Sequence, residues 1–504
     1  MSEQEKPQEK DRKDQPEPVD RLVETKHSIV INGEEIHYTV TAGTMVLKEE
    51  DADREKDAEG HKPKAEIFFI AYTRDGVEDR GKRPLTFSFN GGPGSSSVWL
   101  HLGLLGPRRV YNLEDGSMPP PPFRLVDNEY SMLDKTDLVF IDPVNTGYSR
   151  VVQGEKAKPY HGFKKDIETV GEFIRIYTTR YKRWVSPKFL IGESYGTTRA
   201  AGLSGYLQER YGMYLNGIML VSVILDFATA RFAPGHDLPH LLFLPAYAAT
   251  AWYHQRLTRR LLNRPLRYTL DEVEKFVLNE YLPALFKGDQ MSKRERNRII
   301  ERLAIYTGLS EAYVERTDLR IHDQRFFKEL LRKEGRTVGR LDSRFKGIDR
   351  DSAGETHEYD PMLTEIMGTY TATFNEYVRA ELNFESDLPY EILTAKVWPW
   401  SFAEHENEYL NVAETLRKAM SINPYLKVLV ANGYYDLGTP YYATEYTFSH
   451  MGLDESLRGN LTFTYYEAGH MMYMHLPSLA QMKQDLATFV EGAVISESNQ
   501  TREM

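Results

Sequence analysis

The chain has 504 residues, a formal net charge of −11 from 63 Lys and Arg against 74 Asp and Glu, and 41% hydrophobic residues. This composition excludes a disordered or collagen-like chain, and the length allows about two to four ordinary domains or one large α/β unit carrying an insertion. No basic stripe offers the phosphate neutralisation that nucleic acid needs, and the absence of cysteine removes disulfide, thiolate and Cys-ligated metal chemistry.

Residues 1–26 are dense in Glu, Lys, Asp, Gln and Pro, with Val19, Leu22 and Val23 as an apolar cluster, and are expected to form a solvated, disordered tail. They hold no signal-peptide hydrophobic region. The longest apolar run, residues 241–253, is interrupted by Pro245 and is shorter than the ~20 residues of a membrane span. A cytoplasmic protein without a membrane partner is expected, the alternative being a secreted or periplasmic one whose leader has been removed.

Residues 28–47 read as a β-hairpin turning at Asn32-Gly33 and residues 66–73 as a further strand, with the charged stretch 48–64 as a loop between them. A short strand at 84–90 runs into Asn90-Gly91-Gly92-Pro93-Gly94, and the apolar run 138–141, of the buried parallel type, ends at Asp142-Pro143. From Phe163 to Trp184 the apolar spacing predicts an amphipathic helix closing before Ser186-Pro187. A strand at 188–191 then meets Gly192-Glu193-Ser194-Tyr195-Gly196. The small residues Ala200, Ala201, Gly202 and Gly205 let the next helix, 197–207, lie close on a sheet.

Residues 218–225 form another buried strand. From 226 to 398 the strand–helix alternation is lost, and the chain becomes helical, charged and rich in Tyr and Arg, as an insertion or cap would be. Alternation resumes with a helix at 403–420, a strand at 427–430 leading to Asp436, a further helix, and a strand at 461–466 leading to Gly469-His470. Alternating strands and helices predict an α/β protein with a mostly parallel central sheet, helices on both faces and right-handed crossovers. Its core is expected from 27–225 and 399–504, with 226–398 as the helical cap.

Gly192-x-Ser194-x-Gly196 between a strand and a helix matches the nucleophile elbow of α/β-hydrolases, where glycines flank a serine held on a crowded turn. The elbow needs an acid and a base from later strands, in the order Ser, Asp or Glu, His. Asp436 and His470 each stand just past a strand's carboxyl end. His450 and His475 are the rival bases and Glu467 the rival acid. A tetrahedral intermediate needs two N–H donors, expected from Tyr195 and from the 90–94 loop, with Gly92 as donor. No metal site and no cofactor are expected.

Four blocks together resemble the serine carboxypeptidase family of α/β-hydrolases, in a cysteine-free, bacterial type. They are Asn90 to Ser96, Asp142 to Ser149, Gly192 to Gly196, and Asn432-Gly433 through Asp436 with Gly469-His470. The resemblance implies the α/β-hydrolase fold, Ser194, Asp436 and His470 as triad, Gly92 and Tyr195 as oxyanion hole, and Asn90, Gly91 and Glu193 near the substrate's terminal carboxylate. It implies a serine peptidase that removes C-terminal residues, acting on peptide or ester substrates. An esterase or acyltransferase on the same triad is the alternative, and a non-catalytic binding protein of this fold a third.

Ser88 stands where the family commonly has tryptophan, and leucine precedes Gly106-Pro107 where a second glutamate is usual. Glu193 thereby loses the carboxyl partner with which it would share a proton. Arg108 and Arg109 are candidates to bind a carboxylate instead, the other reading being two solvent-facing arginines. The sequence sets no oligomeric state.

Overall fold

Short runs of β-branched and aromatic residues build a ten-stranded sheet in the computed structural model, which describes residues 17–50 and 61–494. An antiparallel meander, β1 (Arg21–Ile31), β2 (Glu34–Glu50) and β3 (His61–Arg74), opens the chain. Then follow β4 (Leu85–Phe89), β5 (Asp137–Ile141), β6 (Arg150–Val151), β7 (Lys188–Ser194), β8 (Gly217–Val223), β9 (Lys427–Gly433) and β10 (Leu461–Tyr466). The spatial order is β1-β2-β3-β5-β4-β7-β8-β9-β10, with β6 against β3. From β5 to β10 every pairing is parallel. Strands β4, β5 and β8 are buried along their whole length, as helices on both faces require.

Helices α1 (Phe163–Arg180), α2 (Tyr195–Tyr211), α3 (Pro361–Ala380), α4 (Ala413–Ile422) and α5 (Leu476–Ala493) cover the sheet. Successive residues of β8 point to opposite faces. Ile218 and Leu220 pack with α1, α2 and α4, while Met219 and Val221 join the core that holds α3 and α5.

Four expectations are corrected. The tail is shorter than 1–26, because Arg21–Ile31 form β1: Val23, Thr25, His27, Ile29 and Ile31 alternate inward, a pattern that polar residues blur in the sequence. Residues 1–16, the rest of that expectation, lie outside the described residues. The 48–64 loop narrows, since β2 and β3 stay paired to Glu50↔His61, and residues 51–60 lie outside the described ones. The first amphipathic helix ends at Arg180, leaving Trp184 beyond it and exposed. The helix expected at 403–420 is only Ala413–Ile422. Upstream of it, Glu404, Glu406, Asn407 and Glu408 are exposed and offer no apolar stripe, and Asn407 takes a φ of 66°, which no helix tolerates.

The 226–398 segment is helical for much of its length but divides between two cores. Residues between Leu241 and Val338 gather around the apolar helix Leu238–Tyr253 in a cluster of their own, which also takes in Tyr435, Leu437 and Tyr441 beside Asp436. By contrast, Met362, Ile366, Tyr370, Phe374 and Phe384 belong to the core beneath the sheet. Helix α3 is therefore part of the α/β body and not of the cap.

Candidate active site

Strand β7 breaks into α2 at Ser194, whose backbone sits at φ 61° and ψ −128°. A non-glycine residue in such a region stores roughly 1–3 kcal/mol of strain and persists only where its surroundings enforce it. A Cβ on Gly192 would lie 2.0 Å from Gly196 O, and one on Gly91 would lie 2.4 Å from Tyr195 N. Glycine at both places lets the elbow close and lets the loop after β4 press against it. Tyr195 opens α2, where an amide has no intrahelical acceptor, and the Gly92 amide makes no backbone hydrogen bond among the described residues. The Tyr195 amide thus follows Ser194 directly in the chain, and the loop that carries Gly92 packs on it through Gly91.

Strands β9 and β10 lead to Asp436 and His470 and bring them together. His470 Nδ1 donates to Asp436 Oδ2 at 2.7 Å, and Thr439 Oγ1 donates to the same oxygen at 2.7 Å. The amides of Gly438 and Thr439 donate to Asp436 Oδ1 at 2.7 and 3.0 Å. This network assigns the Nδ1 proton and leaves Nε2 as the basic nitrogen. Burial works against a charged His470, but the carboxylates of Asp436 and Glu193 outweigh it and hold the imidazole above its ordinary range. Ser194 Oγ has no hydrogen-bond partner among the described residues, a loose geometry common in substrate-free sites.

Sequence reasoning missed several groups that hold the base. Ser222 Oγ donates to the His470 carbonyl at 2.6 Å from a bulge in β8, where Ser222 has φ 54°. The His470 amide donates to Leu341 O at 2.6 Å, and the Gly469 amide to Asp342 Oδ2 at 3.0 Å. Only the small polar side chain of Ser222, inside an otherwise apolar strand, hinted at this. The rivals stand elsewhere: His475 caps α5 and bonds Ser478 Oγ at 2.8 Å, His450 bonds Tyr446 O at 2.8 Å on an exposed helix end, and Glu467 is exposed.

Glu193 is 3% exposed and bonded on both oxygens. Asn90 Nδ2 donates to Oε1 at 3.0 Å and Tyr473 Oη to Oε2 at 2.6 Å. Burial pushes its carboxyl up to about 7, although His470, Tyr473 and Asn90 all pull it down. Tyr473, three residues past the base, was not singled out in the sequence, where nothing separates it from the other 31 of 32 tyrosines. Below the elbow, fully buried Arg199 donates from Nη1 to Asn90 O at 2.6 Å and from Nε to Asp166 Oδ2 at 2.8 Å. Its guanidinium lies 5.4 Å from the rings of both Phe89 and Tyr195.

Arg108 is not brought to this cluster. The strand Arg108–Val110 pairs with Leu125–Asp127, so Arg108 is taken up by Asp127 at 2.5 Å and Glu381 at 3.0 Å. Arg109 is buried and reaches Glu129 at 3.7 Å. Neither is the solvent-facing arginine of the other reading. Leu104 is fully buried, and Ser88 Oγ is buried without a partner.

Among the described residues, no group of three or more His, Asp and Glu could hold a metal ion, and no helix is long and apolar enough to cross a membrane. The family model for serine carboxypeptidases matches residues 58–475. Over 161 residues the chain is 34% identical to the pheromone-processing carboxypeptidase KEX1 of Saccharomyces cerevisiae, a match covering 31% of this chain and 20% of that protein. It is 28% identical over 161 residues to serine carboxypeptidase-like 29 of Arabidopsis thaliana, covering 30% of this chain and 32% of that one. These alignments span about a fifth to a third of the curated relatives' length. In fold, the crystal structure of KEX1(delta)p, a prohormone-processing carboxypeptidase from Saccharomyces cerevisiae, superposes with a TM-score of 0.54 at 18% identity, over 90% of this chain and 91% of that chain.

Proposed function

The chain belongs to the serine carboxypeptidase family, and from that premise we propose that it is a serine peptidase releasing residues from the C-terminal end of peptides through Ser194, His470 and Asp436. The observation that carries this reading is the 2.7 Å His470–Asp436 pair at the ends of the strands beyond the one that ends in the strained Ser194. In this mechanism, His470 Nε2 takes the Ser194 Oγ proton as the oxygen adds to the scissile carbonyl. The Gly92 and Tyr195 amides hold the oxyanion. Collapse breaks the C–N bond, His470 returns the proton to the departing amine, and water then releases the acyl group by the same path. Asp436 fixes the tautomer and stabilises the imidazolium.

Asn90, Gly91 and Glu193 form the wall behind the nucleophile against which the leaving residue rests. Below pH about 7 a neutral Glu193 puts no anion beside the leaving residue's carboxylate; above it, an anion repels. Binding of free C-termini is therefore favoured on the acid side of that value, while turnover still needs the unprotonated imidazole that His470, held above its ordinary range, gives up as pH falls.

A second reading, ester hydrolysis or acyl transfer on the same groups, draws on Leu104, which leaves Glu193 without a second carboxyl group. Incubation with matched free and amidated peptides, with products followed by mass spectrometry, tests the two. Stepwise loss of C-terminal residues from the free peptides, absent in Ser194→Ala, is the expected result. Turnover of esters alone favours the second reading.

A further inference from the structure

The loop 339–344 leaves the cap cluster and stitches together the two loops that deliver the acid and the base. Arg340 O accepts the Leu437 amide at 2.9 Å, Leu341 O accepts the His470 amide at 2.6 Å, and the Ser343 amide donates to Tyr435 O at 3.0 Å. The loop is fixed from behind by Asp360. Its Oδ2 accepts the Arg340 and Leu341 amides at 3.1 and 3.0 Å, while its Oδ1 caps α3 through Met362 N at 2.9 Å. The Arg340 backbone is thus held on both sides within reach of the triad.

Its side chain is not held. Arg340 is exposed, and its guanidinium has no hydrogen bond or ion pair among the described residues. The guanidinium carbon lies 3.5 Å from the Cβ position of Gly438, two residues past Asp436. Its charge is felt at His470, where it opposes protonation. Neighbouring donors are committed. Arg344 is paired with Asp342 at 2.7 Å, and the donor groups of Asn90 and Tyr473 are turned to Glu193. An unpaired guanidinium carried on a fixed backbone beside the Asp436–His470 pair is a ready partner for an anion, because its planar fork matches a carboxylate bidentately.

We infer that Arg340 is a specificity-determining residue that binds a carboxylate of the substrate next to the triad, either the terminal α-carboxylate or an acidic side chain near the scissile bond. This rests on the peptidase reading above. The test compares wild type, Arg340→Gln and Arg340→Lys on four probes: a neutral peptide with a free C-terminus, its amide, the amide carrying Glu beside the scissile bond, and a neutral activated ester.

Relative to the ester, Arg340→Gln is expected to lower kcat/KM on the carboxylate-bearing probe by about ten- to a hundredfold, mostly through KM, with part restored by Arg340→Lys. Loss confined to the free C-terminus assigns the α-carboxylate, and loss confined to the Glu peptide assigns the side chain. His470 faces Asp436, Glu193 and Arg340, so a purely electrostatic Arg340 instead moves the pH profile of all probes together. Equal effects on all four probes overturn the inference. Should wild type fail on the ester and on every peptide, the peptidase reading itself has failed, a result distinct from equal effects in an active enzyme.

Discussion

Replacing Tyr473 by Phe removes one hydroxyl from a buried site and leaves the ring's packing in place. The lost bond, 2.6 Å from Oη to Glu193 Oε2, changes character with pH, because burial places the Glu193 ionisation at about 7. At about pH 5.5 the acceptor is a neutral carboxyl group and the bond is worth about 0.5–1.5 kcal/mol; at about pH 8.5 it is an anion and the bond is worth about 1.5–3 kcal/mol. Tyr473→Phe should therefore destabilise the protein by about 1 kcal/mol more at the higher pH.

The parent slope has a definite sign. Glu193 is raised above the ordinary glutamate value of 4.5, so the fold keeps a proton that the unfolded chain gives up. Stability from this group is fully present below about 4.5 and is lost as pH rises through about 7, by an amount on the order of 3 kcal/mol. Urea unfolding of wild type, Tyr473→Phe, Glu193→Gln and the double variant at both pH values measures all of this. In the Glu193→Gln background the pH dependence of the Tyr473→Phe loss should disappear. An equal loss at both pH values in the wild-type background refutes the proton placement.

Gly91→Ala puts a Cβ 2.4 Å from Tyr195 N, so ester turnover should fall by about a hundredfold as an oxyanion donor shifts; unchanged kcat contradicts the proposed hole. Arg199→Met strands Asp166 in the core and should lose about 3–5 kcal/mol in guanidinium unfolding, whereas Arg199→Met with Asp166→Leu should recover most of that loss. A double variant no more stable than the single one argues against the pair. Asp436→Asn should lower kcat on the order of 10⁴-fold through the wrong histidine tautomer, and near-normal kcat moves the acid's role to another residue.

The elbow was legible because its chemistry forces a local pattern: Gly192 and Gly196 flank Ser194 where a strand becomes a helix. The meeting of Asp436 and His470, at 2.7 Å, was legible because the carboxyl ends of parallel strands lie side by side at one edge of the sheet. The contacts of Tyr473, Ser222 and Asp342 were not, since they arise from chain segments that meet only in the folded state, with no fixed spacing between them. Arg108 misled for the same reason. It follows Gly106-Pro107 closely in sequence, yet its strand pairing turns it to Asp127 and Glu381. Strand β1 hid its period behind Thr25 and His27, which face inward while being polar. Helix α3 read as cap because composition reports helical character and not which core a helix joins.

Active-site labelling by a fluorophosphonate, followed by peptide mapping, tests the nucleophile most directly. One label per chain on the peptide containing Ser194, with labelling slowed by at least about a hundredfold in His470→Ala, is the expected result. Label on another serine, or full peptide turnover by Ser194→Ala, contradicts the account.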